Sequence, residues 1–324
     1  MKRQKFSVGI DLGGTKLAAA LVDQKGEILA FHKESILDLK SIKNPKQGQK
    51  KVVDLMVEMT SQFQKRFPEA FQKSKFAGVG LASAGPLNVE KGSLIHPVNF
   101  PGWKIVPIQK MLSEALKKKK LPSNVAFQND AIAASLAEGW NGGAKGLQSY
   151  AAVTIGTGIG TGVIFNGQPC QTHGMGAEFG HLIAQNQFIK SAEDLPNHTI
   201  EGIASGTGIL RRAKAEGFTG ENIEELVQAL EQGQSQYQAL FDDAADTLAA
   251  LCYNLSIGFN LEKILFSGGL IKVRHLYFDR LKARYQMLIQ KMNPEFQCPL
   301  VVAKHLNQAG VLGAAYLPYL NRQK

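Results

Sequence analysis

Two apolar stretches, "VGIDLGGTKLAAALVD" (8–23) and "YAAVTIGTGIGTGVIFNGQ" (150–168), superimpose at an offset of 143 residues. Gly13 falls on Gly156, Gly14 on Thr157 and Thr15 on Gly158, with apolar strand residues on both sides. A glycine-bent hairpin used twice, about half a chain apart, restricts the chain to folds that repeat one supersecondary unit. No low-complexity linker separates the halves. Pro122 and Ser123 precede a new strand and place the expected boundary near 125. Helical spacing predicts helices over 46–71, 131–138, 199–216, 223–230, 236–254, 276–292 and 309–319.

A third apolar strand, "KILFSGGLI", ends in Gly268 and Gly269. Each of the three glycine clusters therefore follows a strand, where bare peptide N–H groups can face a phosphate with no Cβ in the way. One such cluster is explained by the needs of a turn; three at strand ends are not. GxxxxGK[ST] does not occur, and the opening stretch lacks a GxGxxG entering a helix, so P-loop and dinucleotide-binding folds are disfavoured. Asp11 beside the first turn suits a hydrated Mg²⁺ that screens polyphosphate charge, though it equally suits a turn-capping aspartate.

The net charge of +10 suits a protein that handles anionic phosphates. The one dense basic cluster, Lys117 to Lys120, closes "MLSEALKKKK", where lysines complement a helix C-terminus, so nucleic-acid binding is not expected. Three cysteines without CxxC spacing point to a reducing, cytoplasmic setting. No run reaches the roughly 20 apolar residues of a membrane span, and Asp11 and Lys16 interrupt any signal-peptide reading of the N-terminus.

"GIDLGGTK", "GTGIGTG" and "SGG" resemble the phosphate-binding turns and adenosine-side glycines of the actin-like ATPase superfamily. Together with "GLASAGPLN", "HPVNFPGW", "QNDAIAASLAEG", "GAEFGH" and "IEGIASGTGI", they resemble, in order, the ROK family of sugar kinases and related repressors. The resemblance implies a two-domain α/β, ribonuclease H-like fold with an interdomain cleft. Its expected domains are 1–125 and 126–306, with a C-terminal helix in 307–324 packing back onto the first. It implies an ATP-dependent hexose kinase acting on the 6-hydroxyl of glucose. An N-acetylhexosamine kinase, a fructokinase and a non-catalytic sugar binder are the alternatives.

By the same resemblance Asp11, Gly13, Gly14, Thr15, Lys16, Gly156, Thr157, Gly158, Gly268 and Gly269 hold ATP, with Asp11 on Mg²⁺ through water. Asp130 is the general base, with Asn129 beside it on the sugar. The bland alternative for "QND" is a polar loop capping the next helix, and both roles are compatible. Glu178, His181, Glu201, Asn99 and Gly85 complete the implied sugar contacts. Many family members follow the GH pair with a CxCGxxGCxE zinc segment, whereas residues 182–200 here hold no cysteine. Tetrahedral zinc needs four ligands, and His181 and His198 supply two, so no zinc site is expected. Family repressors carry an added N-terminal helix-turn-helix, for which a strand beginning by residue 6 leaves no room. A homodimer is carried over from related kinases.

Overall fold

The computed structural model describes residues 4–172 and 176–320. The chain divides into one unit built from the residues up to Gly146, the described residues of 170–176 and those from Asn307 onward, and a second built from Leu147–Pro169 and Ala177–Leu306.

The first unit opens with β1 (Phe6–Leu12), β2 (Lys16–Asp23) and β3 (Ile28–Ser35), followed by α1 (Leu37–Lys40) and α2 (Pro45–Arg66). β4 (Phe76–Ser83) runs parallel to β1, and a small sheet follows from β5 (Leu87–Asn88), β6 (Ser93–Ile95) and β7 (Ile105–Val106). After α3 (Ile108–Lys118), β8 (Val125–Asn129) adds parallel to β4 and leads into α4 (Asp130–Asn141). The main sheet has the order β3-β2-β1-β4-β8.

Period-two alternation in β1 sorts its side chains. Val8, Ile10 and Leu12 enter the core with Met56 and Met59 of α2 and Leu112 and Leu116 of α3. Ser7, Gly9 and Asp11 therefore take the opposite face, which the C-terminal helix α10 (Ala309–Leu320) covers. There the Ser7 hydroxyl donates to the Ala315 carbonyl at 2.7 Å. A Cβ on Gly9 would strike the Val311 carbonyl, and one on Gly80 the Ala314 carbonyl. The two strands thus use glycine to admit a helix backbone. Gly80→Val is expected to cost about 3 kcal/mol by overpacking this contact, read as a lowered urea midpoint; unchanged stability would show that α10 does not depend on that approach.

The boundary lies twenty-odd residues beyond the expected one, because β8 completes the first sheet and α4 packs on α10 through Ala133 and Gly313. The helix expected over 46–71 stops at Arg66, ahead of Pro68, which disfavours helical geometry in the residue before it. Lys117 and Lys118 end α3 exposed to solvent, as a basic last turn should.

The second unit repeats the plan. β9 (Tyr150–Ile155) and β10 (Ile159–Phe165) form the second glycine hairpin, β11 (Gln168–Pro169) extends it, and β12 (Lys263–Ser267) and β13 (Leu300–Val302) add in parallel. Its order, β11-β10-β9-β12-β13, matches the first sheet strand for strand. Helices α5 (Ile200–Ala204), α6 (Gly206–Ala215), α7 (Ile223–Glu231), α8 (Gln238–Phe259) and α9 (Phe278–Met292) complete the unit. The single helix expected over 199–216 is two. Ser205 is extended, with φ −80° and ψ 163°, and its side chain accepts the Gly208 N–H to cap α6.

Candidate active site

In the first unit the β1–β2 turn is closed by Gly13 N–H donating to the Lys16 carbonyl at 3.0 Å. Two of its carbonyls are taken from outside. Lys40 Nζ donates to the Gly14 carbonyl at 2.7 Å, and Ile36 N–H to the Thr15 carbonyl at 3.0 Å. The N–H groups of Gly14 and Thr15 have no partner among the described residues. A turn with its acceptors filled and its donors free is an anion cradle. Asn99 lies over it, with its Cγ 2.8 Å from where a Gly14 Cβ would be.

Asn129 and Asp130 stand at the β8–α4 junction. Asn129 Oδ1 accepts the N–H groups of Ala131 and Ile132 at 2.9 and 3.1 Å, which fixes the start of α4. Asp130 Oδ1 accepts the Ala131 N–H at 2.8 Å, and Oδ2 has no partner among the described residues. The capping reading of "QND" is seen directly, and the cap spends the Asn129 oxygen without using its amide. Gly85 follows β4 in the same unit, half-buried ahead of Pro86.

Burial raises the Asp130 carboxyl above its ordinary range, partly offset by backbone N–H groups. Asp11 is pushed up to about 7, first by burial and next by the negative charge of Asp130, against an opposing pull from Lys33. Register explains the pull: Asp11 pairs with Ala18 and Ala18 with Lys33, so the lysine lies in the same cross-sheet row over a small residue. No hydrogen bond satisfies Asp11 among the described residues, and the bare Gly310 of α10 backs it. Two neighbouring carboxylates with no hydrogen-bonded cation among the described residues suit a hydrated divalent ion, because magnesium takes one or two carboxylates plus substrate phosphates.

The second unit treats its turn in the same way. Gly156 N–H donates to the Gly158 carbonyl at 2.9 Å. The carbonyls of Gly156 and Thr157 accept the N–H groups of Gly206 and Thr207 at 2.8 and 3.3 Å. Thr157 and Gly158 keep their N–H groups free among the described residues. Two "GTG" triplets, 156–158 and 206–208, therefore lie side by side. They line one end of a cavity of about 500 Å³ that Gly269 also enters. Leu210, Ile223, Val227, Leu270 and Val273 supply apolar wall of a kind that suits a flat heterocycle. Gly268 has φ +94°, and a Cβ there would strike the Ile155 carbonyl, so only glycine lets β12 turn against β9.

Gly206, Thr207 and the apolar wall were missed by sequence reasoning; the repeated "GTG" was the available signal. Of the expected sugar contacts in this unit, Glu201 is spent in part on the turn, its Oε2 accepting the Ile159 N–H at 2.6 Å. Glu178 and His181 are exposed, on a segment docked to β10 where Phe179 N–H donates to Thr161 Oγ1 at 3.0 Å. The cysteine-free loop beyond is held by its backbone. Ala184 and Gln185 N–H groups donate to the His198 carbonyl at 2.8 and 3.2 Å, and Ile200 N–H to that of Leu182 at 2.9 Å. Among the described residues no three His, Cys, Asp or Glu side chains gather as a metal set.

A family model described as the ROK family matches residues 7–319. The chain is 28% identical to a glucokinase of Halalkalibacterium halodurans, over 97% of this chain and 94% of that one. It is also 28% identical to a fructokinase of Zymomonas mobilis, over 97% of each. The crystal structure of a ROK hexokinase from Thermus thermophilus matches with a TM-score of 0.82 at 28% identity, covering 99% of both chains.

Proposed function

The chain belongs to the ROK family, with its actin-like ATPase fold, and on that footing we propose that it transfers the γ-phosphoryl group of ATP to the 6-hydroxyl of glucose. The observation that carries the proposal is the paired anion cradle, one in each unit, each with two carbonyls occupied from outside the turn and two successive N–H groups free among the described residues. Turns serving only to reverse the chain have no need of that asymmetry. Each cradle offers bare N–H groups to phosphate oxygens, and the cavity beside the second takes the nucleoside.

Asp130 Oδ2 accepts the proton of the sugar hydroxyl as it attacks, and the raised proton affinity of this carboxyl suits a base. The Asn129 amide, its direction fixed by the cap, and Asn99 donate to sugar oxygens. Magnesium arriving with the triphosphate would be held by Asp11 through water and would neutralise developing charge. Backbone donors already in place for the transferring group cost no reorganisation during the reaction.

Support for putting glucose first is that glucokinases of two organisms are among the relatives matched over nearly the whole chain, while the fructokinase match, equal in identity and coverage, makes fructose the reading to test against it. A coupled assay across these four sugar classes, each with ATP, GTP and polyphosphate, is expected to give the highest kcat/KM for glucose with ATP. A tenfold preference for another pair would replace that substrate, and absence of turnover with all of them would leave a sugar-binding protein without catalysis.

A further inference from the structure

The second unit holds another cavity, of about 580 Å³, that the kinase reading leaves unused. It lies where the opening turn of α9 meets β13, the last strand of its sheet. Lys272, Arg274, His275 and Lys282 line it, against one acid, Asp279. His275 is engaged with Glu231 at 3.6 Å, which leaves three permanent cations. Lys272 has no ion pair among the described residues, and Arg274 makes one long bond, 3.4 Å, to the Ile271 carbonyl. Lys282 Nζ sits 4.8 Å from the centre of the Phe278 ring.

We propose that this cavity binds a small organic phosphate. Its phosphoryl group would meet Lys272, Arg274 and Lys282, and its carbon skeleton would lie on Phe278 and Val302. The cation excess calls for an anion, and a phosphomonoester brings close to two charges to a fork-shaped guanidinium and two ammonium groups. The apolar floor distinguishes an organic phosphate from inorganic phosphate, which has nothing to place there. The short segment from Gly269 to Leu276 forms the wall between this cavity and the nucleoside cavity, and Lys272 lines both.

The test is calorimetry on the full chain saturated with a non-hydrolysable ATP analogue, with glucose 1-phosphate and inorganic phosphate as separate probes at about 0.15 M salt. Saturable one-to-one binding of the sugar phosphate is expected, weakened about tenfold or more by the double variant Arg274→Glu, Lys282→Glu. The milder Lys282→Gln should weaken it less, and Lys117→Glu, Lys118→Glu, with the same change in net charge on α3, should bind like the wild type. Steady-state turnover without sugar phosphate should be unchanged in all of these variants. The proposal is overturned by absence of saturable binding, by equal loss in the α3 variant, or by inorganic phosphate binding as tightly as the sugar phosphate. Since the binding measurement needs no turnover, its failure is separable from failure of the kinase reading.

Discussion

Asp130→Asn is expected to lower kcat by about 10²–10⁴-fold while leaving KM for both substrates within about threefold and the thermal midpoint no lower than that of the wild type, since a carboxyl raised by burial is removed. The substitution keeps an oxygen able to accept the Ala131 N–H, so α4 retains its start, and the Asn129 cap is untouched. What it removes is the carboxylate oxygen that the proposed mechanism uses as proton acceptor. A pure loss in kcat is the signature of an interaction made in the transition state rather than in the ground state. Turnover within a few-fold of the wild type would show that the hydroxyl loses its proton elsewhere, and the role given to Asp130 would fall.

Asp11→Asn should do two opposite things. Turnover with MgATP should fall by about 10²–10³-fold, as for loss of a group that stabilises charge on the transferring phosphoryl. Stability of the ligand-free protein should rise at alkaline pH. The carboxyl has its ordinary value of 3.8 when unfolded and about 7 when folded, so between those values the folded state binds the extra proton. Stability therefore falls as pH climbs from about 4 to 7, by an amount on the order of 4 kcal/mol, and stays reduced above that. Asparagine escapes the penalty. In chelator-containing buffer, the variant should melt several degrees above the wild type at pH 8, and the two should converge near pH 4. A difference independent of pH would mean that Asp11 is not a buried, uncompensated acid. A protein that keeps such a residue trades stability for a function that needs it.

Much of this site is legible in the residues. The alternation of β1 separates Val8, Ile10 and Leu12 from Ser7, Gly9 and Asp11, so the strand feeds a core with one face and a site with the other. Asp11 takes nothing from the packing. The glycine turns also sit where the sequence places them, at the ends of β1, β9 and β12. "QND" is legible too, because a helix start announces itself through its cap.

The residues alone determined the doubled hairpin, the positions of the bare turns and the acid behind the first of them, since all three follow from period-two patterning and backbone freedom within a few residues. Tertiary structure decided the rest. It extended the first unit through β8 and α4, which depend on pairing with β4 and docking on α10. It broke the helix at Ser205, setting Gly206 and Thr207 against Gly156 and Thr157, and it brought the charge of Asp130 to bear on Asp11. Parallel strand pairing, helix docking and Coulomb coupling act between segments far apart in sequence, and no local window contains the partner that makes them favourable.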